Sequence, residues 1–250
     1  MRLTAIILSL SAVATMSTGV ANAATNLVVN GNFESTTNGT NKQLANATTT
    51  ETNRTTLTGW TSDNGNDGGY NFVLDANTAK TNASAIWLKN PVTDDNNGYT
   101  ASANGGNIFA SDALYYPGTL SQTVTGLTKD ATYALTFDYA LAQQVGFNGA
   151  NTDNFWQVGL GNKTYSSSAL SIASGGFSGW QTATMYFTAG GTTELLSFLA
   201  KTSSPGAPPF LLLDGVSVTA VPEPTTWGMM LGGIGLVGFL ARRRQGAKAA

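Results

Sequence analysis

The chain has 250 residues, of which only 10% are Asp, Glu, Lys or Arg, and it contains neither Cys nor His. Without Cys it can form no disulfide, thiolate zinc site or Cys nucleophile. Without His it lacks the usual general base and the Ser-His-Asp triad. The net charge of −2 excludes a basic nucleic-acid footprint, so we expect no nucleic-acid partner. A hydrophobic content of 42% is sufficient for one sizeable core.

The first 23 residues have the organisation of a secretory signal peptide. Arg2 precedes an apolar run from Leu3 to Val20, and Ala21 and Ala23 supply the small-x-small cleavage pattern. We therefore predict removal of residues 1–23 and an exported domain that begins at residue 24. The alternatives are a first core strand or a membrane anchor.

Residues 24–220 are predicted to form one all-β domain, a jelly-roll-like antiparallel β-sandwich, because short β-rich runs alternate with Gly, Asn, Asp and Ser. In Thr132–Ala140, the large residues Tyr133, Leu135, Phe137 and Tyr139 occupy alternate positions, as in a strand buried on one face. The candidate strands are Leu27–Phe33, Tyr70–Leu74, Ala85–Leu88, Asn107–Ala110, Thr119–Val124, Thr132–Ala140, Phe155–Leu160, Trp180–Phe187, Glu194–Leu199 and Phe210–Thr219. The Thr- and Asn-rich stretch 38–58 is predicted to be a surface loop or hairpin excursion.

The opening run Asn26–Glu34, the segment Gly118–Ala140 and the closing run Phe210–Val218 resemble the galactose-binding-like jelly rolls of carbohydrate-binding modules. In that family a structural Ca²⁺ often joins the first and last strands. The resemblance implies that Glu34 and Asp214 are its carboxylate ligands here, with backbone carbonyls completing the oxygen shell. The alternative is that both carboxylates bond backbone N–H groups or cap turns.

Sugar binding by such a domain requires aromatic platforms with nearby hydrogen-bonding groups. The candidates are Trp60, Tyr115, Tyr116 and Trp156, and each has the alternative of a place in the core. The acidic run Asp63–Gly68 is interpreted as a turn, since Leu74 stands where an EF-hand requires Glu.

The C-terminal segment, residues 221–250, combines a stiff motif, an apolar run and a basic cluster. Prolines restrict the backbone and a tryptophan suits the headgroup level of a membrane. The apolar run from Trp227 to Ala241 spans roughly 22 Å as a helix, shorter than a bilayer core of about 30 Å. We predict a single transmembrane helix with its basic end in the cytoplasm. The defining residues are Pro222, Glu223, Pro224, Trp227, Arg242, Arg243 and Arg244.

This segment resembles the PEP-CTERM sorting signal, although Gly228 replaces the Ala that usually follows the tryptophan. The resemblance implies recognition by an exosortase in the inner membrane of a Gram-negative bacterium, cleavage near Pro222–Pro224, and delivery to the cell envelope or extracellular matrix. Such systems accompany exopolysaccharide production. The alternative is an ordinary single-pass anchor.

Two functions therefore remain open. The first is a non-enzymatic envelope or matrix protein that binds exopolysaccharide. The second is a structural or adhesive surface protein without a sugar site. A polysaccharide hydrolase ranks third, because nothing marks the pair of carboxylates that glycoside hydrolysis requires. We expect no required cofactor, with structural Ca²⁺ as the one candidate ion.

Overall fold

The computed structural model describes residues 25–46, 52–79, 86–90, 95–203, 206–222 and 232–238. Residues 232–238 are helical, and the rest of the described chain is strand, turn and loop. The strands are β1 (Lys42–Gln43), β2 (Thr61–Asp63), β3 (Asn71–Asp75), β4 (Asn107–Ser111), β5 (Thr119–Thr125), β6 (Thr132–Gln143), β7 (Asn151–Leu160), β8 (Lys163–Ser166), β9 (Leu170–Ile172), β10 (Gln181–Thr188), β11 (Thr193–Thr202) and β12 (Pro209–Ala220).

The strands form two sheets. The first has the order β1-β3-β4-β12-β6-β10, and the second has the order β2-β5-β11-β7-β8, with β9 also paired to β7. Neighbouring strands are antiparallel throughout these ladders. From β4 to β7, and again from β10 to β12, consecutive strands alternate between the two sheets. The predicted all-β antiparallel sandwich is confirmed.

The main core lies between the sheets and follows from period-two alternation. In β6 the side chains of Tyr133, Leu135, Phe137 and Tyr139 are buried, while the residues between them are partly exposed, as predicted. They belong to the same core cluster as the buried residues of β7 and β11 in the opposite sheet.

A second apolar cluster covers the outer face of the first sheet. It includes Phe72, Ile108, Phe210 and Leu212, against which the partly buried Trp180 packs. Because β12 lies between β4 and β6 and has apolar clusters on both faces, its first six residues are all buried. Burial on both faces explains why this strand begins with a continuous apolar run rather than an alternating one.

The two ends of β12 define the two ends of the sandwich. Pro209 lies at the end with the β4–β5, β6–β7 and β11–β12 loops, which we call the loop end. Ala220 lies at the opposite end, where the Val221 amide donates to the Thr132 carbonyl at 2.9 Å. The residues of both core clusters fall within positions 27–218. The described exported domain therefore contains a complete core without the C-terminal segment.

Two predicted strands are wrong. The segment Leu27–Phe33 is a turn-rich strap, because Asn30 and Phe33 adopt left-handed backbone conformations with φ of 53° and 58°. It still docks on β12, where the Leu27 amide donates to the Val218 carbonyl at 2.9 Å. In the predicted strand Ala85–Leu88, the described part contributes only a bridge between Ile86 and Gln144. The short strands β1, β2, β8 and β9 were not predicted.

Candidate functional site

A surface pocket of about 300 Å³ opens at the loop end of the sandwich. Its walls come from β1, from the segment between β1 and β2, from the turn that precedes β3 and from the β4–β5 loop. The lining residues are Gln43, Arg54, Asp67, Gly69, Tyr70, Tyr115 and Tyr116. Two of the four predicted aromatic platforms therefore line one pocket.

Three tyrosine rings form the aromatic wall of the pocket. Tyr115 and Tyr116 are 55% and 62% exposed, although both side chains are large and largely apolar. Their ring centroids lie 4.7 Å apart in an edge-to-face arrangement. Tyr70 packs edge-on against Tyr115 at 5.1 Å, with its own ring stacked on Phe210 at 5.9 Å. The exposed rings are thus supported from below by the buried outer face of the first sheet.

The backbone of Tyr116 is strained. Its φ is +47°, in the left-handed region that bulky residues rarely adopt. The Tyr116 carbonyl accepts a hydrogen bond from the Tyr70 amide at 2.8 Å, which ties the strained residue to the turn before β3. Strain of this kind persists only where surrounding structure imposes it, and it is concentrated at ligand clamps and active sites.

Asp112 fixes the loop that carries these rings. Its Oδ1 accepts the amides of Leu114 and Tyr115 at 2.7 and 3.0 Å, and its Oδ2 accepts Nε2 of Gln144 at 2.6 Å. The side chain is buried. Burial raises the pKa of this carboxyl, while the three hydrogen bonds oppose that shift.

The polar wall of the pocket consists of connected side chains. An Nη of Arg54 donates to Asp67 Oδ2 at 3.4 Å, and its other Nη donates to the Leu44 carbonyl at 3.1 Å. Asp67 Oδ1 accepts the Gly69 amide at 2.7 Å, and Gln43 Nε2 donates to the Gly69 carbonyl at 2.7 Å. These bonds hold a carboxylate, a guanidinium and an amide beside the tyrosines. Groups of these three kinds form hydrogen bonds with the hydroxyls of a ligand.

The other two predicted platforms lie in the interior. Trp156 is in β7 and is fully buried, and its Nε1 donates to the Leu212 carbonyl in the opposite sheet at 3.1 Å. Trp60 is 6% exposed, and its Nε1 donates to the Asn30 carbonyl at 3.1 Å. Placing these two rings at a surface was wrong: both fill the space between the sheets and satisfy their N–H groups internally.

Glu34 and Asp214, predicted as calcium ligands, lie near one another on the outer face of the first sheet. Glu34 Oε1 accepts the Asn107 amide at 2.7 Å. Gly105 and Gly106 have φ of +68° and +63°, and a side chain at Gly106 would collide with the Glu34 carboxylate. Asp214 sits at a bulge in β12, where its Oδ1 accepts the Gly215 amide at 2.7 Å.

The second oxygen of Asp214 has no hydrogen-bond partner although the residue is fully buried. The pKa of Asp214 is raised to about 6, chiefly by burial, with a smaller contribution from the carboxylates of Asp138 and Glu34, while hydrogen bonds from Ser102 and the Gly215 amide oppose the shift. A buried carboxylate oxygen without a hydrogen-bond partner, with a second carboxylate close enough to raise its pKa, is compatible with the oxygen ligands that Ca²⁺ prefers. Among the described residues, no group of three or more His, Cys, Asp or Glu side chains converges on one point. Calcium here would therefore also need backbone or amide oxygens.

The C-terminal segment is only partly described. Pro222 is exposed and follows directly on the last residues of the sandwich, whereas Glu223, Pro224, Trp227, Arg242, Arg243 and Arg244 lie outside the described residues. Ala21 and Ala23 of the predicted signal peptide also lie outside them. In the described part of the chain no helix has the length and apolar character to cross a membrane. The predicted transmembrane helix stays a prediction.

The family model of the PEP-CTERM protein-sorting motif matches residues 220–244. Residues 220–244 are a PEP-CTERM sorting motif. The motif implies that the chain is exported, is held by a membrane-anchored sorting signal and is processed by an exosortase. The match begins at the last residue of β12, so the PEP-CTERM motif follows the folded domain almost without a linker.

Several solved structures are similar to this chain at low sequence identity. TmCBM61 in complex with β-1,4-galactotriose has a TM-score of 0.38 at 12% identity, over 79% of this chain and 100% of that one. A CBM4 module has a TM-score of 0.32 at 14% identity, over 77% and 99%. The enzymatically active domain of tailspike protein 4 from bacteriophage CBA120 has a TM-score of 0.37 at 11% identity, over 78% of this chain and 21% of the tailspike. A comparison with curated proteins finds no match.

Most residues of the polar wall were not predicted as site residues from the sequence. Gln43 and Arg54 lie within the stretch predicted as a surface excursion, and Asp67 lies in the predicted turn Asp63–Gly68. These three residues lie close to Tyr116 because β1 pairs with β3, and no local sequence pattern predicts that long-range pairing. Asp112 had a usable signal, since Asp followed by a short Tyr-Tyr-Pro-Gly segment is typical of a side chain that caps a turn.

Proposed function

We propose that the exported domain is a non-catalytic glycan-binding module that uses the pocket beside Tyr115 and Tyr116. The observation that carries the proposal is an exposed pair of tyrosines held by a strained backbone above a pocket with polar walls. Keeping two aromatic rings in water is unfavourable for a monomeric domain unless they serve a contact.

The chemistry of the pocket suits a sugar. The apolar faces of pyranose rings stack on aromatic side chains, and their hydroxyls both donate and accept hydrogen bonds. Asp67 offers an acceptor, Arg54 offers donors, and Gln43 offers both. A volume of about 300 Å³ lies at the lower end of the range for ligand pockets. The pocket therefore suits one unit of a glycan.

The composition of the pocket favours binding over hydrolysis. Glycoside hydrolysis uses two carboxyl groups about 5–10 Å apart on either side of the scissile bond. Asp67 is the one carboxylate among the described residues that line the pocket, and it is already paired with Arg54. This supports a module that retains a glycan without cleaving it.

The sorting motif suggests which glycan the domain meets. We infer that, after processing near Pro222, the domain reaches the cell envelope or extracellular matrix and binds exopolysaccharide there. A role as a purely structural or adhesive surface protein is the competing outcome, and it requires no ligand in the pocket.

A pull-down with the exopolysaccharide of the producing cell tests the proposal. Residues 24–221 are used as wild type, as Tyr116→Ala, and as Tyr186→Ala, a control with a Tyr of almost equal exposure, 61%, on edge strand β10. We expect the wild type and Tyr186→Ala to be retained and Tyr116→Ala to be lost from the bound fraction. Equal retention of all three, or of none, contradicts the proposed site. Release of reducing ends during incubation contradicts the non-catalytic assignment.

A further inference from the structure

Exposed apolar side chains extend beyond the pocket along the loop end. The β4–β5 loop exposes Leu114 next to Tyr115 and Tyr116, and the β6–β7 loop exposes Val145 and Phe147, the latter by 43%. Elsewhere in the described sandwich the large exposed hydrophobic residues are Val29, Tyr186 and Leu195, which are scattered. Exposed hydrophobic residues are thus concentrated in two loops at one end.

A buried hydrogen bond connects these two loops. Gln144, at the start of the β6–β7 loop, donates from Nε2 to Asp112 Oδ2 at 2.6 Å, and both side chains are almost fully buried. The Gln144 backbone amide also donates to the Pro208 carbonyl at 3.2 Å. Gln144 therefore ties the β6–β7 loop to the β4–β5 loop through its side chain and to the β11–β12 loop through its backbone amide.

The β6–β7 loop, which we call the Phe147 loop, is also held by hydrogen bonds of its own. Gln143 Nε2 donates to the Gly149 carbonyl at 2.9 Å, and the Gly149 amide donates to Ser174 Oγ at 2.9 Å. The Phe147 amide donates back to the Gln144 carbonyl at 3.4 Å. Because these hydrogen bonds close the turn, Phe147 is held at a fixed position relative to Asp112.

The spacing of the loops sets the size of a ligand that contacts both. Strands β4 and β6 pair with opposite edges of β12, so their ends lie about 10 Å apart, which is two inter-strand distances. One pyranose ring is shorter than this separation. A ligand that contacts both loops at once must therefore contain more than one linked unit.

We propose that the pocket and the Phe147 loop form one extended surface that binds consecutive units of a polysaccharide chain. This rests on the proposed function. One unit occupies the pocket beside Tyr116, and a more distant unit stacks on Phe147. The surface selects the interior of long chains over free sugars or short ends.

Binding of size-fractionated fragments tests the proposal. The probes are a partial hydrolysate of the producing cell's exopolysaccharide, separated into one- to two-unit and eight-unit-or-longer pools, and binding to residues 24–221 is measured by calorimetry. We expect Phe147→Ala to weaken binding of the long pool roughly three- to tenfold, the scale of one lost aromatic contact, without changing binding of the short pool. Tyr116→Ala should weaken both, and Tyr186→Ala neither.

The outcomes separate the two proposals. If Tyr116→Ala weakens both pools and Phe147→Ala weakens neither, or weakens both equally, the extended surface is wrong and the pocket stands. If the wild type binds neither pool, both proposals fail. Capture of the wild type by phosphatidylethanolamine–phosphatidylglycerol vesicles, lost in Phe147→Ala, would assign the surface to a membrane and overturn the extended glycan site. Circular-dichroism melting of each variant establishes that it is folded.

Discussion

Replacing Asp214 with Asn should change how the stability of the exported domain depends on pH. The carboxyl is buried, one of its oxygens has no partner, and its pKa is raised from 3.8 to about 6. Protonation is therefore favoured in the folded state. The stabilising effect of the proton is complete below pH 4 and is lost as the pH rises through about 6.

The magnitude follows from the difference between the two pKa values. At 1.36 kcal/mol for each pKa unit, the raised pKa of Asp214 removes about 3 kcal/mol from the free energy of unfolding between pH 4 and pH 7. For a domain of this size that corresponds to a fall in Tm of about 6–12 °C. Asp214→Asn carries no charge and retains an oxygen that can accept from the Gly215 amide. The variant should lack this part of the pH dependence.

The assay is thermal unfolding of residues 24–221 from pH 4 to pH 7, first in EDTA and then in Ca²⁺. In EDTA we expect the Tm difference, variant minus wild type, to grow with pH and level off above about pH 6. Asp112 also has a raised pKa, but it is present in both proteins and cancels in the difference. A difference that does not change with pH would refute the reasoning.

Calcium should reverse the result if Glu34 and Asp214 are ligands. A bound cation stabilises the ionised carboxylate, so Ca²⁺ should raise the Tm of the wild type most at pH 7, and Glu34→Gln or Asp214→Asn should abolish that increase. An equal increase in all three proteins would show that the ion does not bind at these carboxylates.

Three further predictions concern the core and the pocket. Trp156→Ala should destabilise the domain by about 3–5 kcal/mol in urea unfolding, since it empties a fully buried site, whereas a loss below about 1 kcal/mol would contradict that placement. Asp112→Ala should cost about 2 kcal/mol or more and weaken glycan binding, because the amides of Leu114 and Tyr115 lose their acceptor; unchanged binding in calorimetry would contradict its positioning role. Tyr116→Gly should leave Tm unchanged or raise it while abolishing binding, because Gly relieves the left-handed strain at φ +47°; a marked fall in Tm would contradict the strain.

The long strands could be predicted because their patterns are local. Large apolar and smaller or polar residues alternate along β6, which indicates burial on one face. The continuous apolar run of β12 indicates burial on both faces. The strap 27–33 could not be predicted as such. Its composition is that of a strand, but Asn30-Gly31-Asn32 turns the chain, and its path is fixed by long-range hydrogen bonds to β12 and to Trp60.

The candidate site was predictable only in part. Tyr115 and Tyr116 stand beside Pro117 and Gly118, and this turn chemistry suggested that one ring is exposed, whereas both are. Trp60 and Trp156 have the same aromatic character, and no local feature distinguishes a ring that spans two sheets from one that faces water. The polar partners of the tyrosines come from distant parts of the chain, so only the folded topology brings them together.

Chemical-shift mapping can locate the glycan that we propose binds beside Tyr115 and Tyr116. Exopolysaccharide fragments are titrated into ¹⁵N-labelled residues 24–221, and amide shifts are followed. The account predicts the largest changes at Gln43, Arg54, residues 67–70 and residues 112–118, with β10 unaffected. Saturable shifts confined to any other surface would contradict it.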